Sequence, residues 1–130
     1  GVDGVWEAWR DRRRIRPVAE QEVLMPVAPG AREKILIDLA GVEPGPKESV
    51  SVESSNPSVA AEVLAVRKPP QGGGGAACDV RIMIGRDLRG PFSTVLTITS
   101  EGETAGLDVF GVAERPSRRG RIRGVPSRRR

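Results

Sequence analysis

The feature that most constrains this chain is a two-residue alternation of apolar and polar side chains, repeated in short runs between Gly- and Pro-rich breaks. Successive side chains of an extended backbone point to opposite faces, so each run reads as a strand with one face buried. Val23, Met25 and Val27 alternate, and Pro29-Gly30 ends the run. Ile35, Ile37 and Leu39 point one way against Lys34 and Asp38, with Leu36 out of step, until Gly41 to Pro46 breaks the pattern. Val50 and Val52 alternate with Ser49, Ser51 and Glu53, and Val80, Ile82 and Ile84 with Arg81 and Met83. Phe92, Thr94, Leu96 and Ile98 oppose Ser93, Val95, Thr97 and Thr99. After a polar turn over 100–105, Leu107 and Val109 lie on a last strand ending near Val112.

Residues 59–66 read two ways. Asn56 can cap a helix with Pro57 at its first position, and Ala60, Ala61, Glu62 and Leu64 are good helix formers. An extended run into Val66 is the reading that its neighbours favour, because each of them is a strand. With it the chain has about seven short strands and no helix between them, the pattern of an antiparallel sandwich or barrel. A sandwich fits better, since Val, Ile and Leu fill the space between two sheets without an aromatic anchor.

Composition limits the chemistry. The 130 residues hold no His, no Tyr and one Cys. Without His the commonest general base and metal ligand is missing, which disfavours catalytic triads and most zinc sites. A single Cys forms no internal disulfide. No apolar run approaches the roughly 18 residues that cross a bilayer. We therefore expect no cofactor and no enzymatic activity.

Charge divides unevenly along the chain. The net +4 separates into +2 over 1–16, −5 over 17–112 and +7 over 113–130. The basicity belongs to the ends, and the body is acidic. At the N-terminus, Asp3 can cap a short helix over 4–14 that carries Val5, Trp6 and Trp9 and ends before Pro17. At the other end, 115–130 is Gly, Pro, Ser and Arg with only Ile122 and Val125 as apolar residues, and should be disordered alone. The expected organisation is a helical or linker segment 1–16, a sandwich 17–113 and an Arg-rich tail 114–130. The chain opens without Met or a leader pattern, as a segment of a longer protein would.

Several stretches invite functional readings. Gly72 to Gly75 resembles a phosphate loop only in glycine content, because Ala76-Ala77-Cys78 follows where Gly-Lys-Ser/Thr would enter a helix. Cys78 has no His to stabilise a thiolate and aligns with Val80 and Ile82 as a small core residue. Glu101, Glu103 and Asp108 lie in or beside one turn and read as solvated loop charges. Asn56-Pro57-Ser58 is no glycosylation acceptor, because Pro sits in its middle. Arg118, Arg119, Arg121, Arg123, Arg128, Arg129 and Arg130 are candidate contacts to a polyanion, nucleic acid or an anionic surface. The tail offers no aromatic side chain for stacking bases, so a linker or solubilising role is the simpler reading.

Three stretches together resemble a known family. They are Pro29-Gly30-Ala31-Arg32-Glu33-Lys34-Ile35-Leu36-Ile37, Val50-Ser51-Val52-Glu53-Ser54-Ser55-Asn56-Pro57, and Gly90-Pro91-Phe92-Ser93-Thr94-Val95-Leu96-Thr97-Ile98-Thr99 leading to Leu107-Asp108-Val109-Phe110-Gly111-Val112. They are similar to bacterial immunoglobulin-like domains of unknown function, related to ASH/hydin-type β-sandwiches, over roughly 22–113. The Cys-Gly-Cys element of many members is replaced here by Ser54-Ser55-Asn56, so no metal or redox role carries over. The resemblance implies an all-β, immunoglobulin-like antiparallel sandwich in an extracytoplasmic or scaffold-type module. Such a module would bind another protein or neighbouring domains, or act as a spacer.

Overall fold

The computed structural model describes residues 15–115. The helix expected over 4–14 lies outside them. Eight strands form two four-stranded sheets that enclose one core. They are β1 (Arg16–Pro17), β2 (Gln21–Val23), β3 (Arg32–Ala40), β4 (Ser51–Ser54), β5 (Val59–Arg67), β6 (Ala76–Ile84), β7 (Gly90–Ser100) and β8 (Glu103–Ala113). The first sheet runs β1-β3-β6-β5 and the second β2-β8-β7-β4. Residues 59–66 are strand. A single 3-10 turn, Lys47–Ser49, leads into β4.

The longest hairpin shows why these residues pair. In β7 Phe92, Thr94, Leu96, Ile98 and Ser100 face the core, and in β8 Leu107, Val109, Gly111 and Ala113 do. Glu101 (φ 52°) and Gly102 (φ 81°) join the strands in a tight turn closed by the Ser100–Glu103 pair. Two positive-φ residues match the right-handed strand twist. The turn is thus shorter than the polar stretch 100–105 implies, and β8 begins at Glu103. Gly111 faces Phe92 across the ladder, and a Cβ there would sit 2.5 Å from Phe92 Cζ. The ring occupies the space that a side chain would take.

Two departures from the alternation have local causes. Val23 and Met25 are exposed, and Leu24 and Val27 are the buried residues of that run. The segment pairs as a parallel edge along β8, with Leu24 N–H donating to Phe110 O and Val27 N–H to Val112 O. Pro26, between them, has no N–H to give, so the strand breaks and the inward positions fall three apart. In β5 the pairing with β6 shifts between Val63 and Ala65. Leu64 is the extra residue of a β-bulge, which lets Val63 and Val66 both face inward, opposite Val80 and Cys78.

The first strand changes sheet: β1 pairs antiparallel with β3, and β2 pairs parallel with β8. The sandwich is therefore antiparallel except along β2, where the expectation was antiparallel throughout. Ile15, ahead of β1, is already in the core, and its N–H donates to Glu103 Oε1 at 3.0 Å. Across the sandwich Leu39, Ile82, Leu96, Leu107 and Val109 are almost fully buried. Gly75, at φ +86°, passes against the Leu39 carbonyl, where a Cβ would collide with it.

Candidate functional site

Four places bring reactive or recognition-competent groups together. On the outer face of the first sheet, Asp79 sits in an otherwise apolar run, Ala76–Val80, whose residues are all buried. Arg67 clasps it in a fork, Nε to Oδ2 at 2.7 Å and Nη2 to Oδ1 at 3.2 Å. The bulge at Leu64 sets Arg67 opposite Ala77, one outward position from Asp79. Hydrogen bonding from Arg67 holds the Asp79 carboxyl below the usual carboxylate range, against the opposing effect of burial. The same face carries Arg81 bonded to Glu62 at 3.1 Å. These two carboxylates are each held by an arginine, an arrangement that holds structure.

At the β4–β5 corner the Ser54-Ser55-Asn56 stretch forms a hydroxyl network around buried Thr94. Ser54 Oγ lies 2.6 Å from Thr94 Oγ1, and Asn56 N–H donates to Thr94 Oγ1 at 3.2 Å. Ser58 N–H donates to Asn56 Oδ1 at 2.9 Å, so Asn56 closes a turn into β5 and caps no helix. Among the described residues no base hydrogen-bonds to these hydroxyls, and the network joins β4 to β7. At one end of the sandwich a cleft of about 270 Å³ is lined by Ile15, Val42, Glu43, Ser49, Glu101 and Glu103. Glu103 there is engaged by the Ile15 amide, so it is more than the solvated loop charge expected. Among the described residues no group of three or more His, Cys, Asp or Glu could hold a metal ion. Cys78 is buried in the core, and burial first, then neighbouring Asp79, pushes its thiol up to about 11.

The fourth place is the outer face of the second sheet. Among the described residues seven large apolar side chains are exposed: Val18, Val23, Met25, Leu36, Val95, Phe110 and Val112. Four of them, Val23, Val95, Phe110 and Val112, belong to this sheet. Register puts Val23 beside Phe110 and Val112 beside Pro91, while Val95 lies opposite Asp108, one outward position along β8 from Phe110. Met25 follows β2 on the same edge and is 79% exposed. The strands of this sheet contain no Lys or Arg, and its outward charges are Glu53 and Asp108. Arg89, in the loop before β7, turns its guanidinium onto the Arg86 and Leu88 carbonyls. A contiguous apolar face on a small domain is a recognition feature, whereas scattered exposed residues are ordinary.

The candidate contacts Arg118, Arg119, Arg121, Arg123, Arg128, Arg129 and Arg130 lie outside the described residues. The structure thus brings together a surface that sequence reading passed over. Val95, Phe110 and Val112 each stand as an apolar residue on the polar side of its strand. Their convergence appears only once register is known.

No family model matches the chain, and no curated protein does. Among solved structures it is similar to the Bacteroides ovatus GH5 xyloglucanase in complex with a XXXG heptasaccharide, at 18% identity and a TM-score of 0.46. That match covers 77% of this chain and 19% of the other, so the chain spans about a fifth of that protein's length. Likeness of this degree assigns no activity. Among the described residues no helix is long and apolar enough to cross a membrane.

Proposed function

We propose that the chain is a non-catalytic, immunoglobulin-like module of a larger protein, acting by protein–protein contact through the outer face of its second sheet. The strand order supports the immunoglobulin-like reading. With strands lettered A to G in chain order, and β1 and β2 as two halves of A, the sheets sort as A-B-E-D and G-F-C, the constant-type order, with the second half of A added beside G. The resemblance over 22–113 to bacterial immunoglobulin-like domains points the same way. The observation that carries the function is the gathering of Val23, Met25, Val95, Phe110 and Val112 on one cation-free face. Its chemistry suits a partner that offers apolar side chains together with cations.

The test is capture by immobilised 1–130 and by its Phe110→Asp, Val112→Asp variant, read by mass spectrometry. A protein retained by the first and lost from the second supports the reading, and identical capture by both overturns it. The alternative is polyanion binding through the tail arginines, which the +7 of 113–130 favours. That reading requires a steep salt dependence of RNA or DNA binding that the aspartate variant leaves unchanged.

A further inference from the structure

The segment of this chain that follows β8 has the chemistry that the second sheet's outer face would take. Residues 116–130 carry seven Arg, no acidic residue, and Ile122 and Val125 among them. The face carries five exposed apolar side chains with Glu53 and Asp108, and no cation in its strands. Position matches as well as charge. β8 ends at Ala113, next to Val112 on that face, and the chain leaves through Glu114, whose N–H donates to Val27 O at 2.9 Å. Along β8, Val112 to Asp108 is about 14 Å. The segment 116–130 reaches up to about 50 Å when extended. It is long enough to run back over Val112, Phe110 and Asp108 to Val95.

We propose that residues 116–130 dock on the outer face of the second sheet of their own chain, covering Phe110 and Val112 and pairing arginines with Asp108 and Glu53. This rests on reading that face as a docking surface, and it makes the tail a competitor for the partner. Residues 1–14, with Trp6 and Trp9, can also reach this face from Ile15 beside Glu103, but they carry Asp3, Glu7 and Asp11 among their arginines, where 116–130 carries no acid to oppose Asp108 and Glu53. A second copy is the remaining occupant.

Paramagnetic labelling of the full chain decides among them. A nitroxide goes on Ser127→Cys in ¹⁵N-labelled 1–130, native Cys78 being buried and its thiol held protonated. The expected result is loss of most of the amide signal at Val23, Val95, Asp108, Phe110 and Val112. Signal should return with Asp108→Lys, Glu53→Lys, and at about 0.5 M NaCl, where screening acts within a few ångströms. Unchanged intensities on that face overturn the proposal, as does loss centred on Lys34 and Arg81 of the first sheet. Mixing unlabelled-nitrogen spin-labelled chain with ¹⁵N chain tests the second copy. Loss there equal to that in the singly labelled sample overturns docking on the same chain. Failure of the tail to dock leaves the capture experiment to judge the face, so the two readings fail separately.

Discussion

The two sheets share one core yet present opposite outer surfaces. The first satisfies itself: Arg67 holds Asp79, Arg81 holds Glu62, and Lys34 and Asp38 mix the signs. The second exposes Thr97 and Thr104 beside Val95, Phe110 and Val112, with only carboxylates for charge. A face that mixes both signs and holds two of its carboxylates in ion pairs has little to gain from a partner. A face with exposed apolar surface and unmatched charge sign gains on being covered. Contrast between the sheets, more than any single residue, is what the proposed interaction surface rests on.

The most severe way to break this contrast is to attack what the sheets share. Ile82→Ala in the first sheet and Leu96→Ala in the second each remove side chains with no exposed area. Each should cost about 2–5 kcal/mol in urea unfolding, as large-to-small core changes do. Non-coincident unfolding transitions by two spectroscopic probes, or a changed m-value in one variant only, would show that the sheets are not one cooperative unit. Gly111→Ala should cost about 1–3 kcal/mol, because its Cβ drives into Phe92 and the ring must leave its place. The companion change Phe92→Leu should recover part of that loss, measured in a double-mutant cycle.

A smaller effect separates the outer faces by pH. A carboxylate whose folded pKa is depressed adds stability that is present above its unfolded pKa, near 4, and disappears as pH falls through the folded value. Asp79 is such a group. Asp79→Asn should therefore flatten the decline in stability between about pH 4 and pH 2, read by urea midpoints across that range. An equally steep decline in the variant would remove the Arg67 pair from the account. A modest effect on folding belongs to Phe110→Ser, expected at about 1–2 kcal/mol because the ring is already 40% exposed. Its influence should fall on partner and tail contacts instead. A large loss of stability would place Phe110 in the core and dissolve the distinction between the two faces.

Much of the sandwich was legible because β-strand alternation is decided locally. Phe92, Thr94, Leu96 and Ile98 face inward as their period requires, and Cys78 is the small core residue its neighbours imply. Val23 and Met25 were misplaced because Pro26 and the parallel pairing to β8 set their phase, and neither follows from alternation. Asp79 was missed since its burial depends on Arg67, brought within reach by a bulge at Leu64 and a loop of glycines. The one available signal was an acid within the apolar run Ala76–Val80. The candidate surface needed three strands in register before its apolar exceptions became neighbours.

The parallel pairing of β2 with β8 has a mechanical consequence. These strands adjoin the two ends of the described chain, and tension applied at 15 and 115 pulls them in opposite directions along their common axis. The backbone hydrogen bonds of Gln21–Val23 with Asp108–Phe110, and those of Leu24 and Val27 with β8, would then be sheared together instead of opened one at a time. Strung in series within a longer polypeptide, such a module would bear load as a clamp, yielding abruptly when that short ladder fails.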